Sequence, residues 1–224
     1  MKKKFYTEAA YFLGLLILAV GTAFMERADM GMSMVVAPAY LLHRKLSEFW
    51  PWFTFGVAEY CFQAVLLLAM VCVLRRFRLS YLFSFATAVL YGVLLDLVMI
   101  PAALLPRLLP LRCLYFVFGV LLGSLGVALL FHTYIAPEVY ELFVKEWTDK
   151  HGGDIGRCKT VYDCISCAVS VALSFLFFGF GRFEGVKLGT VLCALCNGRI
   201  IGRISALLEA RLEFTDALRS KTAR

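Results

Sequence analysis

The sequence predicts an all-α polytopic membrane protein with six transmembrane helices, arranged as two three-helix repeats of opposite topology plus short interfacial or re-entrant helices. Composition, six long apolar runs and a repeated order of features support this fold class. Of the 224 residues, 61% are hydrophobic and 17% are charged, whereas soluble domains average about 45–50% and 25%. Lipid must cover this excess of apolar side chains, so the chain is interpreted as one integral membrane domain.

Six apolar runs are long enough to cross a bilayer, which takes about 20 residues. They cover roughly 8–26, 54–74, 80–100, 113–133, 161–181 and 187–207. The basic residues Lys2–Lys4 precede the first run, but no small-residue cleavage site follows it. The first run is therefore interpreted as a retained helix and not as a removed signal peptide.

Lysine and arginine positions predict the orientation. With both termini in the cytoplasm, fourteen of these residues lie on the cytoplasmic side and seven on the other. The cytoplasmic ones fall in segments 2–4, 75–78, 145–159 and 211–224, and the others in 27–45, 107–112 and 182–187. This bias predicts a multi-pass protein of the bacterial cytoplasmic (inner) membrane with both termini inside. The net charge of +7 is attributed to topology and anionic lipid headgroups, and nucleic acid is not an expected partner.

The order of features recurs along the chain. "YFLGLLILAVGTAFM" (11–25) and "VAPAY" (36–40) are answered by "YFVFGVLLGSLGVALLF" (115–131) and "IAPEVY" (135–140). "SFATAVLYG" (84–92) is answered by "TVLCALCNG" (190–198), with Gly92 and Gly198 in register. Repeat 1 covers about 8–100 and repeat 2 about 113–207, before a cytoplasmic tail at 209–224. Three spans per repeat invert the second copy, an architecture of many secondary transporters that bind substrate between the halves.

The two Ala-Pro segments, 29–46 and 132–152, are too short to span the membrane. Pro38 suits the first turn of a helix because its missing N–H would lack a partner there. The second segment is amphipathic,. Two interpretations stay open for both segments: interfacial helices, or half-helices that enter the protein with the positive end of the helix dipole facing an anionic group.

Polar side chains within the spans are the substrate-binding candidates, because such groups usually face the bundle interior or a water-filled cavity. Glu59 and Asp163 could also carry a proton. The alternative for each residue is a structural position, at headgroup level or snorkelling. The candidates are Glu59, Gln63, Asp96, Tyr162, Asp163, Asn197 and Arg199.

Metal, cofactor and catalytic chemistry are not expected. Cys164/Cys167 and Cys193/Cys196 have zinc-like spacing, but both pairs fall on predicted membrane helices. "HGGDIGRCKTVYDC" (151–164) approaches a phosphate-binding loop, with Cys158 in place of the last glycine,. It is better interpreted as a helix stop at Gly152–Gly153, an N-cap at Asp154 and a basic boundary formed by Arg157 and Lys159.

Three stretches resemble the YczE/YitT-like bacterial membrane proteins: "DKHGGDIGRCKTVYD", "GVKLGTVLCALCNGRIIG" and "GTAFMERADMGMSMVVAPAYLL". The resemblance extends over nearly the whole chain and implies a six-span inner-membrane protein of poorly defined activity. Some members of that group are encoded beside regulators that respond to pyridoxal phosphate. Vitamin B6 or a related small molecule is therefore the cargo that the resemblance implies.

The leading hypothesis is a small-molecule transporter whose partners are the lipid bilayer and a small polar substrate. One alternative is the substrate-binding subunit of an ATPase-driven vitamin importer. Another is a regulatory or scaffolding membrane protein that docks a cytoplasmic partner through 138–160 and the basic tail. A homo-oligomer or a complex with an ATPase module is compatible with the first two hypotheses.

Overall fold

The computed structural model describes residues 3–152, 155–180 and 185–217, with side chains described from residue 158 in the second range. In these residues six helices are long and apolar enough to cross a membrane. The elements in chain order are β1 (Lys3–Tyr6), α1 (Thr7–Ala28), α2 (Ala37–Leu46), α3 (Phe55–Leu74), α4 (Leu79–Ala102), α5 (Leu109–Phe131), α6 (Val139–His151), α7 (Ile155–Phe178), α8 (Leu188–Arg211) and β2 (Leu212–Thr215).

The six predicted spans are confirmed as helices, and the largest difference lies at the start of α7, followed by differences of four residues at the start of α5 and the end of α8. Helix α7 begins at Ile155 and not at 161, and α8 continues to Arg211 and not to 207. The predicted bounds follow the apolar runs, which end at polar residues, whereas a helix can continue through such residues. In α7 the side chains of Lys159 and Asp163 lie one turn apart and form an ion pair, which lets the helix continue through them.

The two halves have the same order of elements and share most of their packing partners. Each half contains a long helix, a short helix and two more long helices. Helix α1 packs against α4 as α5 packs against α8, and α3 packs against α4 as α7 packs against α8. Helix α2 contacts α3 and α7, while α6 contacts α7 and α3. An exchange of halves therefore reproduces this set of contacts, as an inverted repeat would, and the opposite membrane orientation of the halves stays a prediction.

Helices α1 and α5 form the most extensive contact between the halves. Their backbones approach closely at glycines: a Cβ on Gly21 would lie 2.6 Å from the Gly123 nitrogen and 2.9 Å from the Gly119 oxygen. Small residues allow such close helix packing in membranes. The α1–α5 pair therefore forms the centre of the bundle.

The short helices begin in the interior and end at the surface. The Val139 N–H, at the start of α6, donates to Gln63 Oε1 in α3 at 3.0 Å. Near the other end of α6, Lys150 Nζ donates to the Leu74 carbonyl at the end of α3, at 2.9 Å. Residues at the start of α2, such as Ala37, are fully buried, whereas Phe49, just beyond its end, is 68% exposed. Both helices therefore begin inside the bundle, which favours the re-entrant interpretation, and their position in a membrane stays a prediction.

The two chain ends meet at one end of the bundle. Strands β1 and β2 pair in parallel, with Lys3 opposite Leu212 and Tyr6 opposite Thr215. Thr7 Oγ1 donates to Asp216 Oδ1 at 3.0 Å. Within the predicted tail at 209–224, α8 extends to Arg211, and Leu212–Thr215 pair with β1.

Candidate functional site

A small internal cavity of about 40 Å³ lies between the two halves. Residues of α1, α4, α5, α7 and α8 line it, together with the segments at which both half-helices begin. A buried water needs about 10–15 Å³ of such space, so this central cavity has room for about three waters. Its polar lining residues are Thr22, Ser33, Tyr91, Ser124, Glu138, Tyr140, Glu141, Lys159 and Asn197.

A polar cluster adjoins the central cavity, consisting of Glu59, Gln63, Glu138, Tyr140, Glu141, Lys159 and Asp163. Glu59 Oε1 accepts hydrogen bonds from the Tyr140 hydroxyl at 2.9 Å and from Gln63 Nε2 at 3.4 Å. The same Gln63 Nε2 donates to Glu138 Oε2 at 3.1 Å. Gln63 therefore bridges the carboxyl groups of Glu59 and Glu138.

Two oxygens of the polar cluster have neither a hydrogen-bond partner nor an ion-pair partner among the residues that the structure describes. They are Glu59 Oε2 and Glu138 Oε1, in residues that are 0% and 2% exposed. Burial raises the pKa of Glu138 well above its ordinary value, and the charges of Glu141 and Glu59 raise it further. The interior therefore favours the neutral form of the Glu138 carboxyl.

The remaining charges of the cluster form an ion-paired group. Lys159 Nζ lies 3.4 Å from Glu141 Oε1 and 3.1 Å from Asp163 Oδ1, and 5.5 Å from the centre of the Tyr162 ring. The sequence predicts Lys159 at a basic boundary, but it is only 9% exposed. Two carboxylates compensate its charge, which allows the side chain to lie inside the bundle.

A second, larger cavity of about 970 Å³ adjoins the central one. Helices α4, α6 and α8 and the connection from α5 to α6 line it. Glu141, Lys159 and Ile201 line both cavities. These three side chains therefore separate the large cavity from the central one.

The segment before α2 pairs with the segment before α8. The Met32 N–H donates to the Gly185 carbonyl at 3.1 Å, and the Gly189 N–H donates to the Met30 carbonyl at 3.0 Å. Asp29 binds Lys187 Nζ at 2.5 Å and Arg112 Nη2 at 3.1 Å. Backbone pairing and ion pairs therefore hold the two halves together here, at the end of α1 opposite to the chain termini.

The structure brings several of the predicted site residues together. Glu59, Gln63 and Asp163 belong to the polar cluster, and Tyr162 packs beside it, with its ring 5.6 Å from that of Phe143. Asn197 lines the central cavity, where its Oδ1 accepts from Ser124 Oγ at 2.6 Å.

Asp96 and Arg199 lie apart from this cluster. The Asp96 carboxylate accepts from Thr54 Oγ1 at 2.6 Å and from the Gly56 N–H at 2.8 Å, so it holds the start of α3. Arg199 is exposed, and its Nη1 donates to the Leu195 carbonyl one turn earlier at 3.1 Å. Both residues make contacts within the helical scaffold.

Sequence reasoning missed Glu138 and Glu141 as site residues. The internal repeat contains a signal for the first of them. In "VAPAY" the residue after the proline is Ala39, whereas in "IAPEVY" it is Glu138. A carboxyl group at a position where the other repeat has a small apolar residue indicates a role that only the second half has.

The motif-like stretch at 151–164 is a helix boundary. Helix α6 ends at His151, and Gly152 follows with φ +72°, its N–H donating to the Thr148 carbonyl at 2.8 Å. The helix stop is thus confirmed at Gly152, whereas the predicted cap at Asp154 lies outside the described residues. From Ile155 the stretch is helical, which leaves no phosphate-binding loop there.

The two cysteine pairs lie on α7 and α8. Cys164 and Cys196 are exposed, Cys167 is half-buried and Cys193 is buried. In the described ranges, no group of three or more His, Cys, Asp or Glu side chains is placed to hold a metal ion.

Comparison with known protein families gives one match. Residues 5–206 match the model of a family of unknown function, DUF6198. The chain belongs to the DUF6198 family. This match extends from β1 into α8 and includes every residue of the polar cluster. No curated protein and no solved structure matches this DUF6198 chain, and its resemblance to YczE/YitT-like proteins stays a prediction.

Proposed function

We propose that this DUF6198 protein is a small-molecule transporter of the bacterial cytoplasmic membrane, with both termini cytoplasmic. It binds its cargo between two inverted repeats. One observation supports this proposal above the others: the half-helices of both halves begin at a central cavity with a polar lining. In secondary transporters with inverted repeats, discontinuous helices form the substrate site at the repeat interface.

The two sides of the central cavity differ as alternating access requires. On one side it adjoins the large cavity, and Glu141, Lys159 and Ile201 line both. On the other side, the pairing of Met30 and Met32 with Gly185 and Gly189 holds the halves together. Rocking of one half against the other would exchange these two arrangements.

The cargo we propose is a small polar metabolite, with vitamin B6 as the first candidate because of the sequence resemblance. The large cavity is within the size range of small-molecule sites, about 300–1,000 Å³. The central cavity holds about three waters. A ring-sized cargo therefore enters through the large cavity and reaches the centre only when Glu141 and Lys159 move.

Transport of labelled vitamin B6 into proteoliposomes tests this proposal, with Gly198→Trp as the key variant. Gly198 lines the large cavity, and a Cβ there would have no neighbour within 4 Å. A side chain at this position therefore starts from free space at the edge of the large cavity, and an indole is large enough to obstruct it. We expect saturable uptake by the wild-type protein and a loss of at least about tenfold in the variant, because KM and kcat both depend on access to the site.

Leu195→Trp is the matched control, because Leu195 lies one turn earlier on α8 and is 58% exposed. It should retain uptake.

Absence of saturable flux for every vitamer would contradict the cargo, and a thermal-shift screen against other vitamins and amino acids would then follow. Co-purification with an ATPase module would instead support the importer-subunit alternative. Truncation after Ala217 tests the docking alternative and spares the strand pairing of β2.

A further inference from the structure

The polar cluster contains more buried carboxyl groups than it can hold as carboxylates. Glu59, Glu138, Glu141 and Asp163 face a single cation, Lys159, and each of the five is at most 9% exposed. If all were ionised, the sum of four negative charges and one positive charge would be −3. Uncompensated charge inside a protein is so costly that groups neutralise instead.

The contacts show which carboxyl groups lack a positively charged partner. Lys159 lies within 3.4 Å of Glu141 and Asp163. The side-chain amide of Gln63 lies between Glu59 and Glu138. Its orientation is fixed because Gln63 Oε1 accepts a hydrogen bond from the Val139 N–H. The Gln63 NH₂ group therefore faces both carboxyls, and among the described residues Glu59 Oε2 and Glu138 Oε1 are left without a partner.

We propose that Glu59 and Glu138 form a proton-binding pair at the central cavity, and that release of this proton is coupled to transport. The coupling rests on the transport function proposed above, whereas proton binding does not. A proton removes the excess negative charge and needs no further ligands. A metal ion needs several oxygens at short range, and no group of three or more candidate metal ligands exists in the described ranges.

The surroundings of Glu138 favour its protonated form. The titratable groups near it are Glu59 on α3, Tyr11 on α1, Tyr91 on α4, Tyr140 and Glu141 on α6, and Lys159 on α7. Only Lys159 is cationic, and Glu141 and Asp163 already compensate its charge. Since burial and its carboxyl neighbours raise the pKa of Glu138, the folded protein binds more protons than the unfolded chain. Stability is therefore present at low pH and falls as the pH rises.

The two cavities offer a path for the released proton on one side of the pair. Glu138 lines the central cavity, and Glu141 and Lys159 separate that cavity from the large one. Movement of the Lys159–Glu141 ion pair would hydrate the central cavity. Water would stabilise the ionised form of Glu138, so the proton would leave towards the large cavity.

Infrared spectroscopy of the purified full-length protein, in a detergent without carbonyl groups, tests proton binding directly. The wild-type protein should show the C=O stretching band of a protonated carboxyl at neutral pH. Glu138→Gln should reduce this band, and the double variant Glu59→Gln/Glu138→Gln should abolish it. Glu48→Gln is the matched control, because Glu48 is half-exposed and paired with Lys45, and it should leave the band unchanged.

The thermal midpoint across a pH series provides a second readout. The midpoint of the wild-type protein should fall as the pH rises, and this dependence should be weaker in Glu138→Gln. No protonated carboxyl at neutral pH, or an unchanged band in the double variant, would overturn the proposal. The proposal would also be overturned if sodium chloride raised the thermal midpoint more than choline chloride did and the protein showed no band of a protonated carboxyl. The band in a protein without flux would contradict only the proposed function, and flux without the band would contradict only the proton site.

Discussion

The two halves of the bundle share one architecture but differ in what they place at the centre. Helix α2 begins with apolar residues, and Ala37, Tyr40 and Leu41 belong to the main hydrophobic core. Helix α6 begins with Glu138 and Glu141 inside the polar cluster. The first half-helix is thus held by packing, whereas the second carries the ionisable groups. The similar helices of the two halves form the scaffold, and the residues that differ between α2 and α6 place the polar groups at the centre.

The glycines in register show a similar difference. A Cβ on Gly92 in α4 would lie 2.7 Å from the Gly56 oxygen, so α3 and α4 pack closely. A Cβ on Gly198 in α8 would have no neighbour within 4 Å, because α8 borders the large cavity there. Helix α4 is therefore closely packed at this position, whereas α8 has free space at the corresponding one.

Replacement of Lys159 should have the largest effect, because the second half depends on this cation. Lys159→Met leaves Glu141 and Asp163 buried without their partner. Removal of one member of a buried ion pair costs about 3–5 kcal/mol. The free energy of unfolding, measured by titration with a denaturing detergent and followed by circular dichroism, should fall by that amount.

Two further variants show whether charge is the cause. Lys145→Met removes an exposed lysine that lines only the large cavity, and it should leave stability nearly unchanged. Combining Lys159→Met with Glu141→Gln and Asp163→Asn should restore most of the lost free energy of unfolding. If the triple variant were as unstable as Lys159→Met alone, lost packing and not unpaired charge would explain the effect.

The sequence predicts the spans, their order and three of the seven residues of the polar cluster, because these depend on apolar runs and on rare polar residues within them. Glu59, Gln63 and Asp163 are visible in this way. Glu138 and Glu141 are not, because they lie outside the apolar runs and are buried only because α6 enters the bundle. Lys159 resembles a snorkelling residue at a membrane boundary. The Asp163 four residues later is the signal in the sequence for their ion pair.

Substitutions of the residues after the two prolines test the difference between the half-helices. Ala39 is fully buried, so Ala39→Glu inserts a larger polar group into a packed region. Overpacking and polar burial together should cost about 2–5 kcal/mol in the same unfolding assay. Glu138→Gln keeps the shape of the side chain and an acceptor for Gln63, and it should cost less than about 1 kcal/mol. Equal losses in both variants would mean that the two positions are equivalent.

The smallest expected effect comes from alanine at the two glycines in register. Gly92→Ala forces the backbones of α3 and α4 apart, since the obstructing atom is the Gly56 carbonyl oxygen, and overpacking of this kind costs about 1–3 kcal/mol. Gly198→Ala meets no neighbour and removes a flexible residue from a helix interior, so it should stabilise the protein by about 0.5–1 kcal/mol. Opposite signs for one substitution at corresponding positions would show that the open packing of α8 is a property of the second half. Destabilisation by Gly198→Ala would instead mean that α8 closes against a neighbour in the state that dominates in solution.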